Sequence, residues 1–312
     1  MNIFLKSILF ALITFGLYAQ NDDFDTMFKK GKFAQKEKFY DLALGYYTKA
    51  FDKAHNSKDF LKLITPYFDT LLHMKKYDLL LNKGDQFYFW EISDDQIKTE
   101  ISFCSMRALL ALKNIEGETS GGSTFDKAKK VYERLGDTPW RIPVRHGIFL
   151  QNFGTILASS GHSEDAIAIY DEALAIDDLN EVNMVNLELM KTKTFVDLGN
   201  LVTAKENGLK VLKSTLSNKS KIKVGIGLAK VLKNSEQYND TISICRTLLR
   251  KYPLTSNDRL ACYLLIADSY FYMGKFIESL QTIESCLADD AISERNKGRL
   301  AGSLRLHRLQ VR

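Results

Sequence analysis

The chain has 312 residues, of which 45% are hydrophobic and 26% charged, the balance of a folded protein rather than a disordered one. It holds 4 prolines and 4 cysteines, which excludes collagen-like, proline-rich and disulfide-dense scaffolds and leaves room for long helices. The net charge of +5 is unevenly placed: residues 293–312 carry six basic side chains and one acidic, and residues 20–292 sum to −1. The near-neutral body gives no reason to expect nucleic-acid binding.

Residues 1–19 read as a secretory signal peptide. Lys6 supplies a positive start and Ile8 to Leu17 a ten-residue apolar run, too short to span a bilayer. Ala19 then precedes the polar Gln20-Asn21-Asp22-Asp23. The expected mature chain begins at Gln20, and the expected location is periplasmic or secreted.

From residue 20 to 292 the sequence repeats. Ala43, Leu80, Ala128, Ala166, Ala204, Thr241 and Ser279 recur at intervals of 37–38 residues, with one interval of 48. Three residues before them stand Tyr40, Tyr77, Phe125, Ser163, Leu201, Tyr238 and Phe276. Four and seven residues after come further apolar or small positions, such as Tyr170 and Ala173. That spacing is one face of a helix. A preceding set, Gly31, Phe68, Gly154, Thr192, Ala229 and Ala267, marks another helix, which ends in a short turn such as Ser160-Gly161-His162 or Met273-Gly274-Lys275. The unit is a helix hairpin of about 37 residues, present seven times. One hairpin cannot bury both its faces, so such units stack.

The stretch from Leu150 to Leu174, with Gly154, Leu157, Gly161, Ala166, Tyr170 and Ala173 in packing positions, resembles a tetratricopeptide repeat. The segments from Tyr238 to Pro253 and from Tyr263 to Leu287 are similar. The period is longer than that family's 34 residues, and its closing proline occurs once, as Pro253. An armadillo- or HEAT-type hairpin repeat is the alternative. The resemblance implies an all-α, right-handed solenoid of the kind found in exported bacterial proteins. Its first helices would line a concave groove that holds a peptide or a partner's helix.

The longer interval marks an insertion at 114–124, read as a flexible loop, and Pro139-Trp140-Arg141-Ile142-Pro143 reads as a stiff connector. Pro66 falls inside a helical pattern, so a kink or a helix start is expected there. Residues 293–312 read as a basic capping helix, with Leu300, Leu304, His307 and Val311 toward the seventh repeat. A docking segment for an acidic partner or membrane surface and a truncation point are the alternatives.

No catalytic constellation emerges. The histidines have no metal-ligand spacing and the cysteines no C-x-x-C. The cysteines read as buried thiols, and export would permit a disulfide between two of the last three. Gly225-Ile226-Gly227 lacks the third glycine of a dinucleotide loop, and Gly121-Gly122-Ser123-Thr124-Phe125 fails as a nucleophile elbow. No cofactor and no metal is expected.

Mapped onto the resemblance, the polar groove positions are Lys32, Lys36, Asp69, His73, Gln151 and Thr155 in the N-terminal half. In the C-terminal half the candidate partner-binding set is Lys193, Lys223, Lys230, Lys233, Asp268, Tyr272, Arg305 and Arg308. The expectation is an exported, non-catalytic scaffold that binds a protein or peptide, with an acidic segment as the complementary ligand. Nucleic acid is not an expected partner, and membrane association would be indirect. The alternatives are a sensory module working with a membrane signalling partner and a helical carbohydrate-active enzyme.

Overall fold

A computed structural model describes residues 23–300 except 92, 117–120, 215 and 299. The expected signal peptide and most of the C-terminal basic segment, including Arg305 and Arg308, lie outside the described residues. Fourteen helices are described, and they pair in chain order into seven hairpins. The first three are α1 (Phe24–Lys36) with α2 (Tyr40–Phe51), α3 (Ser57–His73) with α4 (Tyr77–Tyr88), and α5 (Asp95–Glu116) with α6 (Gly121–Leu135). Then come α7 (Pro143–Ser159) with α8 (Ser163–Leu174), and α9 (Glu181–Asp197) with α10 (Leu201–Lys213). The last are α11 (Asn218–Asn234) with α12 (Tyr238–Lys251), and α13 (Ser256–Tyr272) with α14 (Phe276–Leu287). No strand occurs among the described residues.

The helix ends follow from local chemistry. Most first helices open on a side-chain cap. Asp23, Asn56, Asp94, Asn180, Ser217 and Thr255 each accept a hydrogen bond from the backbone N–H three residues on, which satisfies a donor that the helix leaves unpaired. Helix α7 begins instead with Pro143, whose missing N–H is no loss in a first turn. Six first helices end in one shared turn. In α1 the Lys38 N–H donates to the Gln35 carbonyl and the Phe39 N–H to the Ala34 carbonyl. The same pair of bonds recurs at Lys75, Gly161, Gly199, Glu236 and Gly274, each with positive φ. This is a left-handed C-terminal turn that redirects the chain into the second helix.

Pro66 lies within α3 and does not begin it. Its carbonyl accepts from Thr70 Oγ1 at 2.7 Å and from Gln35 Nε2 at 3.3 Å. Of the expected insertion, residues 114–116 close α5 and residues 121–124 open α6; residues 117–120 lie outside the described residues.

The helices fall into two compact units that divide between Arg141 and Ile142, inside the proline-bounded connector. In the first unit, α1 to α6, the core is rich in rings. Phe60 and Phe87 pack with Phe51, Tyr67 and Trp90 at centroid distances from 4.8 to 6.2 Å. In the second unit, α7 to α14, the core around the sixth hairpin is aliphatic, built on Leu228, Leu232, Leu248, Leu265 and Ile266. A further cluster joins Leu260, Ala267, Ile283 and Cys286 to Ile292 and Leu300. Leu300 is therefore buried against the seventh hairpin as expected, while Leu304, His307 and Val311 lie outside the described residues.

Small residues let paired helices approach. A Cβ added at Gly154 would stand 2.5 Å from Tyr170 Cε1, and one at Gly31 equally close to Tyr47 Cε1. In the sixth and seventh hairpins buried hydroxyls replace apolar contact. Thr241 Oγ1 donates to the Ala229 carbonyl at 3.3 Å and Ser279 Oγ to the Ala267 carbonyl at 2.8 Å.

Candidate functional site: the first-helix face of the second unit

Within the second unit, first helices of neighbouring hairpins pack on one another (α7 on α9, α9 on α11, α11 on α13), whereas among the described residues second helices do not pair in this way. The first helices are thus the inner side of the stack. Their solvent-facing positions form rows that cross from helix to helix, and polar contacts fix the register. Lys223 Nζ donates to Asn186 Oδ1 at 2.7 Å, across a spacing of 37 residues. Thr155 Oγ1 lies 3.4 Å from Met190 Sδ.

In that register Lys193 of α9 and Lys230 of α11 occupy equivalent positions. Both are exposed, and neither pairs with a described residue. Lys223 and Lys219 are exposed about two and three turns nearer the start of α11. Four ammonium groups therefore share the inner face of two adjacent helices.

The other expected residues form a different arrangement. Lys233 Nζ donates to Asp268 Oδ2 at 3.1 Å and lies 5.8 Å from the centroid of the Tyr272 ring. Tyr272 stacks on Tyr238 with centroids 6.0 Å apart and is still 62% exposed. Lys233 and Asp268 neutralise each other, so their part of the face offers an aromatic surface rather than charge. In the sequence Tyr238 marks only a packing position; its stacking partner comes from the next hairpin, beyond what periodicity reveals.

In the first unit several positions of the equivalent face are internally paired, while Lys32 and Lys36 are exposed. Arg107 Nη1 donates to Asp69 Oδ1 at 2.7 Å, and Tyr47 donates its hydroxyl to Gln35 Oε1 at 2.8 Å. The His73 ring stacks on Tyr40 with centroids 5.1 Å apart.

Three described carboxylates have shifted acidity. Asp23 is held below the usual carboxylate range by the Thr26 backbone N–H, and Glu181 by the Ser217 backbone N–H. Asp289 is opposed by burial but lies below that range on balance, through its bonds from Arg259, Ala291 and Tyr263. All three serve helix ends or loops. No group of three or more His, Cys, Asp or Glu side chains that could hold a metal occurs among the described residues. No described helix is long and apolar enough to cross a membrane.

No family model and no curated protein matches the sequence. Solved structures do match. A tetratricopeptide repeat protein from Parabacteroides merdae aligns over 91% of this chain and 98% of its own, with a TM-score of 0.50 and 10% identity. The C-terminal part of a repeat-containing protein from Cytophaga hutchinsonii aligns over 86% and 97%, with a TM-score of 0.50 and 15% identity. Against a chain of the APC/C hetero-tetramer Cut9-Hcn1 the TM-score is 0.42 and the identity 13%, and the alignment covers 87% of this chain and 46% of that one. Hairpins, turns and likeness together define an all-α repeat architecture. Its fold is that of the tetratricopeptide repeat.

Proposed function

We propose that the chain is an exported, non-catalytic scaffold that holds an acidic stretch of a protein or peptide along the first-helix face of its second unit. The carrying observation is the equivalent placement of Lys193 and Lys230, exposed and without a described partner, beside Lys219 and Lys223. A carboxylate meeting these ammonium groups gains charge-assisted hydrogen bonds. Each exposed pair contributes only about 0–1 kcal/mol, so several must act together. Neighbouring helix axes lie about 8–10 Å apart, and an extended chain advances about 3.4 Å per residue. A peptide crossing the helices would therefore present an acidic residue about every third position. Tyr272 adds an exposed ring for an apolar neighbour. Arg305 and Arg308 remain part of the proposed basic set by sequence alone.

The test is fluorescence anisotropy with a labelled peptide of about twelve residues carrying Glu at every third position, beside the same peptide with Gln. The native chain should bind the acidic peptide preferentially, and a Lys193→Glu, Lys230→Glu double variant should bind it at least tenfold more weakly. Equal binding of both peptides, or an unchanged affinity in the variant, would sink the reading. Export rests on Lys6, the apolar run and Ala19, and is tested separately. N-terminal sequencing of chain recovered from the periplasm of a bacterial host should start near Gln20, and a chain retained in the cytoplasm with Met1 intact would overturn it.

A further inference from the structure

We infer that Cys245 and Cys262 are a redox modification site, a latent disulfide that would staple α12 to α13 and so lock the sixth hairpin to the seventh. The placement follows from the topology. Helices α12 and α13 run antiparallel and pack on each other, joined by the short segment 252–255. Cys245 lies six residues before the end of α12 and Cys262 six residues after the start of α13, so the two stand level across the seam. Both belong to one core cluster, with Leu228, Leu248, Leu265 and Ile266 around them, and both have no exposed surface. The Cys262 thiol is near enough to that of Cys245 to disfavour its ionisation. The remaining cysteines lie apart from that cluster: Cys104 is in the first unit, and Cys286 is in the cluster with Leu260 and Ile292.

The oxidant would be a disulfide, either a small one such as glutathione disulfide or that of an oxidoreductase. With glutathione disulfide, the thiolate of one cysteine attacks an oxidant sulfur and the oxidant's S–S bond breaks. One glutathione leaves as thiolate and a mixed disulfide remains. The second cysteine's thiolate then attacks the protein sulfur of that mixed disulfide, and the second glutathione leaves. The protein loses two electrons and two protons, and both appear on two glutathione thiols.

Burial sets when this happens. The neighbouring Cys262 thiol, together with burial, pushes the Cys245 thiol far up and keeps it protonated, and a protonated thiol is no nucleophile. The folded, reduced chain is therefore inert. Closure takes place while the α12–α13 seam is open, during folding. This inference stands independently of the lysine face.

The experiment is refolding of the full chain from urea in excess glutathione disulfide, followed by alkylation in denaturant and intact-mass counting. Each alkyl group or glutathione adduct in the intact mass counts as one label on an unlinked cysteine; two labels are expected, on Cys104 and Cys286, with a linked peptide pair containing Cys245 and Cys262. Folded, reduced chain given the same oxidant should take four labels. The linked chain should melt higher by roughly 5 °C or more. Cys262→Ala should take three labels under refolding, and Cys286→Ala one. Four labels on the native chain after refolding, or a linked pair other than Cys245 with Cys262, overturns the site. If the native chain aggregates in that buffer, the same count on chain directed to the periplasm by a heterologous leader decides in the same terms.

Discussion

At the scale of single residues, Gly154 and Gly45 make opposite demands on the same substitution. Alanine in a helix interior normally stabilises by about 1 kcal/mol over glycine. At Gly45 of α2 nothing stands within 4 Å of an added Cβ, so Gly45→Ala should raise stability by about that amount. At Gly154 the added carbon meets the ring of Tyr170, itself 1% exposed and unable to yield. Overpacking of this kind costs about 1–3 kcal/mol, which exceeds the helix gain. Gly154→Ala should therefore destabilise, and urea denaturation of the two variants side by side reads the difference in sign. A rise in both midpoints would show that the ring gives way.

At the scale of elements, the two helices of a hairpin were legible because their apolar spacing is that of a helix face. The second helices begin at Tyr40, Tyr77, Ser163, Leu201, Tyr238 and Phe276, six of the seven positions that stand three residues before the repeated small residue. The third hairpin departs, since α6 begins at Gly121, four residues before Phe125. Its opening Gly121-Gly122-Ser123-Thr124 has loop composition, which periodicity cannot overrule. The side-chain caps were readable signals of another kind: Asn56, Asn180, Ser217 and Thr255 each stand directly before a first helix. The link between α13 and the segment after α14 was not readable. Arg259 donates through Nε at 2.8 Å and Nη2 at 2.5 Å to Asp289 Oδ2, and Tyr263 adds a third bond at 3.1 Å. These partners are 26 and 30 residues apart, and only the packed hairpin brings them together. Because Asp289 is held below its unfolded value, its contribution is present above about pH 4 and is lost as pH falls through the depressed folded value. Asp289→Asn should remove about 1–3 kcal/mol at neutral pH, and the loss relative to native should vanish in acid. Hydrogen exchange across residues 276–300 at pH 7 and pH 3 measures it; an equal difference at both values would mean that the charge is irrelevant.

At the scale of the whole molecule, the charge is local rather than global. Residues 20–292 sum to −1, so in the proposed reading attraction of an acidic ligand is short-range, from the lysines of α9 and α11 and from Arg305 and Arg308. Screening acts over about 10 Å at 0.1 M salt, and binding of the acidic peptide should weaken steadily between about 0.05 and 0.5 M salt. Affinity that stays constant over that range would point to an apolar contact instead. Part of this site was legible. Lys193 and Lys230 follow from register alone, because the repeat places them in equivalent turns. The pairing of Lys233 with Asp268 was not, since both read as groove positions and only the packed helices show them meeting. The turns between paired helices carry one more implication. Three of the six left-handed positions hold Lys38, Lys75 and Glu236 where the others hold glycine. A side chain there costs about 1–2 kcal/mol, partly offset by the freedom glycine would lose on folding. The hairpin keeps its shape when its most characteristic residue is replaced. Copies of such a unit can drift apart in spelling while their geometry stays fixed, so kinship among them is preserved in three dimensions after it has faded from the alphabet.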